Sequence, residues 1–257
     1  MRYSLLLPGK RVRPLLVLLG ADICGAKPEK AMPAAVAIEM VHAFSLIHDD
    51  LPAMDDDDLR RGKPTNHTVF GEAQAILAGD GLLTEAFHVL TSEITSPEIA
   101  LRCCRELACA TGPSGMTGGQ SLDMEGLSKD ATLEDLESLH MLKTGALIIC
   151  SLRLGAIIAG ASASKIQALT QYGRHLGLAF QITDDLLDMT GSEKKTGKKI
   201  GKDRGKGKKT FPAFLGVEGS RKAAAVLIDA AKKTMKPFGR KSEKLMGLAM
   251  CILDRET

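Results

Sequence analysis

Six of the ten residues from Asp49 to Asp58 are aspartates (Asp49, Asp50, Asp55, Asp56, Asp57, Asp58), and the run closes on the paired cations Arg60 and Arg61. Carboxylates at this density either splay into water or hold a multivalent cation. With oxygen donors and no cysteine nearby, the fitting guest is a hard ion such as Mg²⁺. An EF-hand loop is excluded, because it needs acids at alternate positions around a central glycine. A second acidic group, Asp184, Asp185 and Asp188, lies far along the chain, with Asp184 and Asp188 spaced to share one helix face. If the two groups meet across a cleft they can hold several Mg²⁺ between them, and a polyanion such as diphosphate would complete the coordination.

Both groups need helices to place them. Before the first, Val36, Met40, Ala43, Phe44 and Ile47 recur at steps of three and four, the spacing of a helix with one buried stripe. Met32 and Pro33 suit its start and Pro52 disfavours its continuation through Leu51, so Asp49 and Asp50 fall in the last turn. That end carries partial negative charge and unpaired carbonyls. Two carboxylates about 5 Å apart there repel by roughly 3 kcal/mol at an effective dielectric near 20, which calls for a cation. Residues Leu169 to Asp188 read as a second such helix, ended by Thr190 and Gly191.

Further helices are expected over Phe70 to Leu90, with Gly79 and Gly81 placed to interrupt it, and over Glu98 to Ala110. Another starts at Leu133 behind a Thr132 cap with Asp135 three positions later, and runs into Lys143 and Thr144, both expected to face solvent. Phe211 to Gly216 leads to a helical Lys222 to Met235 and a last helix near Ser242 to Leu253. No stretch alternates at period two for long, so the chain reads as all-α.

At 257 residues one domain spanning 1–257 is expected. With 44% hydrophobic residues, no Trp and two Tyr, the core must come from Leu, Ile, Ala and Met. The balance of 34 basic against 31 acidic residues is too slight for a nucleic-acid binder. Six cysteines show neither a CxxC pair nor ligand spacing with histidine, and read as reduced thiols of a cytoplasmic protein. No signal peptide is evident. The longest apolar run, Gly145 to Ser162, contains Arg153 and three glycines, and reads as a core helix rather than a membrane span. Two basic segments remain. Lys10 and Arg13 in the turn Pro8 to Pro14 can converge on one anion. Gly191 to Thr210 carries Lys198, Lys202 and seven further cations, and after an Asp–Mg²⁺ cluster it looks like a lid over phosphates.

DDLPAMDDDDLRRG followed by QITDDLLD resembles the two aspartate-rich motifs of trans-prenyltransferases. The resemblance runs in the family's order through GKRVRP (9–14), GGQSLD (118–123), KTGAL (143–147), GKKIGKD and KKTFP, and is strongest to bacterial-type farnesyl or geranylgeranyl diphosphate synthases. It implies a bundle of antiparallel helices around a deep cavity, working as a homodimer. In the family a further helix usually precedes the GKR motif, and this sequence begins almost at that motif.

Position by position, the resemblance implies that Asp49, Asp50, Asp55, Asp184, Asp185 and Asp188 bind Mg²⁺, three ions once diphosphate is present. Arg60, Lys143, Lys198 and Lys202 would hold the allylic diphosphate, and Lys10, Arg13, His42 and Arg61 would grip isopentenyl diphosphate. Thr144 and Gln181 would face the reacting carbons. The reaction so implied is ionisation, condensation and elimination, giving (E)-farnesyl diphosphate, with geranylgeranyl diphosphate as the alternative product. Phe44 lies about 7.5 Å down its helix from Asp49 at 1.5 Å per residue, where it would floor the cavity beside the small Ser45. Two rivals stand beside this reading: a phosphohydrolase using His48, Asp49 and His42 as metal ligands, and a noncatalytic synthase subunit, whose mark would be damage to one aspartate motif.

Overall fold

The structure, a computed structural model, describes residues 1–190 and 209–254, so Lys198 and Lys202 lie outside the described residues. A short α1 (Arg2–Leu5) leads through a loop to α2 (Val12–Ile23) and, after a 3₁₀ turn at Pro28–Ala31, to α3 (Met32–Asp49). Pro33 occupies the first turn of α3, where its missing N–H costs nothing. Asp49 ends the helix and Asp50 caps it, as the sequence predicts. Then come α4 (Asn66–Phe70), α5 (Glu72–Glu93), α6 (Pro97–Thr111), α7 (Met116–Glu125) and α8 (Leu133–His140). The chain continues through a π-turn at Met141–Gly145 into α9 (Ala146–Ile158), and is completed by α10 (Ala163–Thr190), α11 (Phe211–Thr234) and α12 (Glu243–Leu253).

Several expectations change. α5 is not interrupted at Gly79 or Gly81. The two expected stretches after Thr210 form one element, α11, broken at Gly216 (φ 69°). The glycine-rich stretch after α6 forms α7, whose Gly118 and Gly119 leave room for the Pro113 and Lys143 backbones. The all-α expectation holds apart from one hairpin, β1 (Leu59–Arg60) against β2 (Lys63–Pro64), antiparallel with Arg60 opposite Lys63. Its turn residues Arg61 and Gly62 both have positive φ (54° and 72°), as a tight primed turn requires. Two residues per strand are too few for a period-two pattern to register in the sequence.

The Thr132 cap is present in full. Its hydroxyl accepts from the Asp135 N–H at 3.3 Å, while the Asp135 carboxylate accepts from the Thr132 N–H at 2.8 Å. Those bonds hold the Asp135 carboxyl below its ordinary range.

α2 and α9 are the shared spine of the bundle. One core is built from their faces with α3, α5 and α6, the other from their opposite faces with α10, α11 and α12. The apolar run after Gly145 is therefore a core helix: the stretches 28–49 and 133–158 are apolar and long enough to cross a bilayer, yet 50% and 56% of their apolar windows are buried within the fold. Tyr172 of α10, fully buried, donates its hydroxyl to the Leu245 carbonyl at 2.6 Å and ties α12 onto the second core.

The spine depends on backbone contact. A Cβ on Gly155 of α9 would stand 2.1 Å from the Val17 carbonyl oxygen, and one on Gly20 of α2 would stand 2.6 Å from the Leu152 carbonyl oxygen. Helix propensity alone predicts that Gly155→Ala stabilises the protein by about 1 kcal/mol. The contact predicts the opposite sign, a loss of about 2 kcal/mol as α2 and α9 are forced apart. Denaturant unfolding of Gly155→Ala decides between them.

Candidate active site

The end of α3 shows how one acidic cluster is assembled from a helix terminus. The last carbonyls of a helix lack intrahelical partners. Here the chain folds back over them: the Asp55 N–H donates to the Asp49 carbonyl at 2.8 Å and the Asp57 N–H to the Asp50 carbonyl at 3.2 Å. Asp56, with φ 55°, makes the reversal between them. Residues 51–54 are thus the length of chain needed to return Asp55 over Asp49.

The two neighbouring aspartates at this terminus have different surroundings. Asp50 is buried and paired with Arg60, whose Nε donates to its Oδ1 at 2.9 Å and whose Nη2 reaches the same oxygen and lies 3.5 Å from Asp57. Burial opposes the Arg60 charge, yet the Asp50 hydrogen bond and the surrounding carboxylates raise its pKa overall. Asp49 instead lines the cavity. Burial first, then Asp55 and Asp50, raise its pKa to about 6 against the opposing pull of Lys143 and Arg60.

Across the cavity stand α10 and the π-turn. Thr144, expected to face solvent, is buried, and its hydroxyl donates to Gln181 Oε1 at 3.2 Å. The Gln181 amide donates to Asp185 Oδ1 at 3.0 Å, and Asp185 Oδ2 accepts from the Phe211 N–H at 2.9 Å. Lys143, also expected in solvent, is half-buried and paired with Asp123 at 2.7 Å. Sequence reasoning did not single out Asp123. Its signal lay in the GGQSLD stretch: α7 carries Asp123 and packs so closely that a Cβ on Gly119 would stand 2.2 Å from the Lys143 backbone nitrogen.

A cationic group sits beside the first cluster. Arg13 Nη1 donates to His42 Nε2 at 3.4 Å. Burial first and then Arg13, Arg61, Arg60 and Arg11 push the His42 pKa well down, which keeps its ring neutral and able to accept. Burial lowers the pKa of both Arg13 and Arg61, opposed by Glu39 on each and by Asp184 as well on Arg13. Glu39 is itself buried and bonds Arg11, whose guanidinium also binds the Leu5 and Leu7 carbonyls at 2.9 and 2.5 Å. The Arg13 Nε is buried without a hydrogen-bond partner.

A cavity of about 720 Å³ gathers these groups. Asp49, Asp55 and Asp184 line it together with Arg13, His42, Arg60, Arg61, Lys143 and Thr144, and Phe44 and Ser45 line it deeper along α3. Gln120 of α7 also lines it, with both amide atoms buried and unpartnered, and was likewise not foreseen. A second pocket of about 460 Å³ shares Met54, Asp55, Met124 and Lys143 with the first and adds Asp123, Gln181 and Asp185. The two acidic groups thus meet across one space. Asp50 faces Arg60 instead of the cavity, Asp188 is half-buried outside both pockets, and Lys10 is exposed outside the larger one. His48 points to the Ile76 carbonyl of α5 at 3.1 Å. Among the described residues, no three acidic, histidine or cysteine side chains converge as a ready metal cage.

Residues 1–245 match the family model for polyprenyl synthetase. The chain is 52% identical to farnesyl diphosphate synthase of Geobacillus stearothermophilus over 92% of its own length and 80% of the relative's. It is 47% identical to the Bacillus subtilis (strain 168) farnesyl diphosphate synthase over 100% and 88%. An FPP/GFPP synthase structure from Zymomonas mobilis superposes with a TM-score of 0.88 at 40% identity, over 98% of this chain and 86% of that one. The chain belongs to the polyprenyl synthetase family and is a prenyltransferase.

Proposed function

We propose that the protein extends an allylic diphosphate with isopentenyl diphosphate in a Mg²⁺-dependent condensation, and that (E)-farnesyl diphosphate is its main product. One observation carries this reading: Asp49, Asp55 and Asp184, the cations Lys143, Arg60, Arg61 and Arg13, and the aromatic floor at Phe44 all line one cavity. The donor set suits Mg²⁺, being hard carboxylate oxygens with no thiolate. Asp49, Asp55 and Asp184 are the residues that would hold it, with the oxygens of a diphosphate completing each shell. Bound there, the metal would neutralise charge on the leaving diphosphate.

Lys143 moves from Asp123 to the allylic diphosphate in this reading. Arg60 acts at the edge of that site while holding Asp50. Arg13, Arg61 and the neutral His42 bind the second diphosphate, and the unpartnered Arg13 Nε is available to it. Lys10, Lys198 and Lys202 join these two groups as proposals from the resemblance alone. The Thr144 hydroxyl and the Gln181 carbonyl oxygen present lone pairs toward the allylic cation. The isopentenyl double bond attacks that cation, and the diphosphate that departs takes up the proton lost. The second aspartate group acts chiefly through Asp184, with Asp185 holding Gln181 in place.

Product length follows from Phe44, with Ser45 beside it leaving room for a fifteen-carbon chain rather than the longer geranylgeranyl one. The exposed apolar residues Val69, Phe70, Ile76, Leu77 and Leu101 of α4, α5 and α6 support pairing with a second copy, and six free cysteines support a reducing cytoplasm. The hydrolase alternative is disfavoured by His48, which is occupied with Ile76, and by His42, which accepts from Arg13. The noncatalytic alternative is disfavoured because both acidic groups reach the cavity.

Purified protein supplied with dimethylallyl and isopentenyl diphosphates and Mg²⁺ is expected to yield farnesyl diphosphate, and none after chelation. Release of free phosphate without a longer prenyl chain would sink the proposal. Because Asp49 is protonated in the metal-free protein below about pH 6, Mg²⁺ affinity in the presence of inorganic diphosphate should fall by up to about tenfold per unit below that point. Calorimetric titration across that range checks it, and Asp49→Asn should remove the contribution. Phe44→Ala is expected to shift the product toward geranylgeranyl diphosphate, read by chromatography after dephosphorylation.

A further inference from the structure

The floor of the cavity is built from more than Phe44. Phe44 and His48 lie one turn apart on α3, both line the cavity, and their rings meet edge to face with centroids 5.1 Å apart and planes at 81°. His48 is itself fixed from the far side by α5. Its Nε2 lies 3.1 Å from the Ile76 carbonyl, and since a carbonyl oxygen can only accept, Nε2 carries the hydrogen. A Cβ on Gly79 would stand 2.2 Å from Nε2 and 2.5 Å from Cδ2, so the imidazole fills the place that any side chain at position 79 would take. Asp80 Oδ1 lies 3.8 Å from the same nitrogen. The ring is thereby held by a socket in one helix and set against the edge of the floor residue in its own.

We propose that His48, seated on Gly79, is a positioning residue for product length, and that it acts by keeping Phe44 across the path of the growing prenyl chain. This rests on the reading of Phe44 as the floor. An aromatic side chain on a helix face turns about two torsions, and packing decides which rotamer it keeps. With the imidazole in place, one side of the Phe44 ring is blocked. With it gone, the ring can rotate into the vacated socket and open the cavity for one more five-carbon unit. His48 belongs to the selection of length and not to bond making, since its N–H is spent on α5.

A cycle of Phe44→Ala, His48→Ala and the double variant, each given geranyl and isopentenyl diphosphates with Mg²⁺, tests the proposal. The readout is the ratio of geranylgeranyl to farnesyl product. His48→Ala is expected to raise the ratio about tenfold, in the range that one pocket contact supplies. Phe44→Ala should raise it at least as far, and the double variant should match Phe44→Ala. A double variant well beyond Phe44→Ala would overturn the proposal, because His48 would then be a separate piece of wall. A parental ratio for His48→Ala beside a lengthened product for Phe44→Ala would overturn it while leaving the floor intact. No lengthening in Phe44→Ala would remove the floor reading itself. Should circular dichroism show His48→Ala unfolded, Gly79→Ala displaces the same ring with His48 present and should lengthen the product. His48→Asn, which keeps an N–H but offers no ring edge, should do the same, and parental ratios in both would overturn the proposal.

Discussion

Like charges forced together are the constraint on which this site depends. At the end of α3 the helix carbonyls and the carboxylates all present negative charge to the same small space. The structure relieves part of this internally. Returning backbone N–H groups occupy the Asp49 and Asp50 carbonyls, and Arg60 neutralises Asp50 and Asp57. Asp49 remains on the cavity wall, where burial first and then the neighbouring Asp55 and Asp50 raise its pKa. The mirror arrangement lies alongside, where Arg11, Arg13 and Arg61 crowd around the buried Glu39 and a histidine kept neutral by its neighbours. One cluster is short of cations and the other of anions, and both open on the same cavity. In the proposed reading a metal diphosphate would satisfy the first and a bare diphosphate the second.

The main helices and their acidic ends were legible in the sequence because they rest on local rules. Apolar spacing placed α3 and α10, Pro52 placed the end of α3, and Thr132 with Asp135 placed the start of α8. What the sequence did not reveal depends on partners far along the chain. Lys143 and Thr144 read as solvent-facing because nothing within a few residues occupies them, whereas Asp123 and Gln181 do so from 20 and 37 positions away. Asp49 and Asp50 are indistinguishable as letters, and only the position of Arg60 separates a cavity-facing acid from a buried pair. Gly79 read as a helix breaker since its cost to the helix is local, while its benefit, room for the His48 ring, comes from another helix.

The spine formed by α2 and α9 explains why so open a cavity is tolerated. A space of about 720 Å³ removes packing that a core would otherwise have. Backbone-to-backbone contact at Gly20 and Gly155 concentrates contact elsewhere, and Tyr172 and the second core brace α10 from behind. Rigidity is therefore kept on the side of the bundle away from the acidic ends.

The chain of bonds from Thr144 through Gln181 and Asp185 to the Phe211 N–H bears on how the two sides of the site act together. Asp185 is buried, and both of its oxygens are engaged, one by Gln181 and one by the first residue of α11. Drawing Asp185 onto a cation would therefore release Gln181 from its orientation and loosen the start of α11. Asp184, its neighbour in sequence, lines the cavity together with Thr144. Two adjacent aspartates on one helix thus have different surroundings: Asp184 lines the cavity, while Asp185 ties Gln181, and through it Thr144, to the first residue of α11.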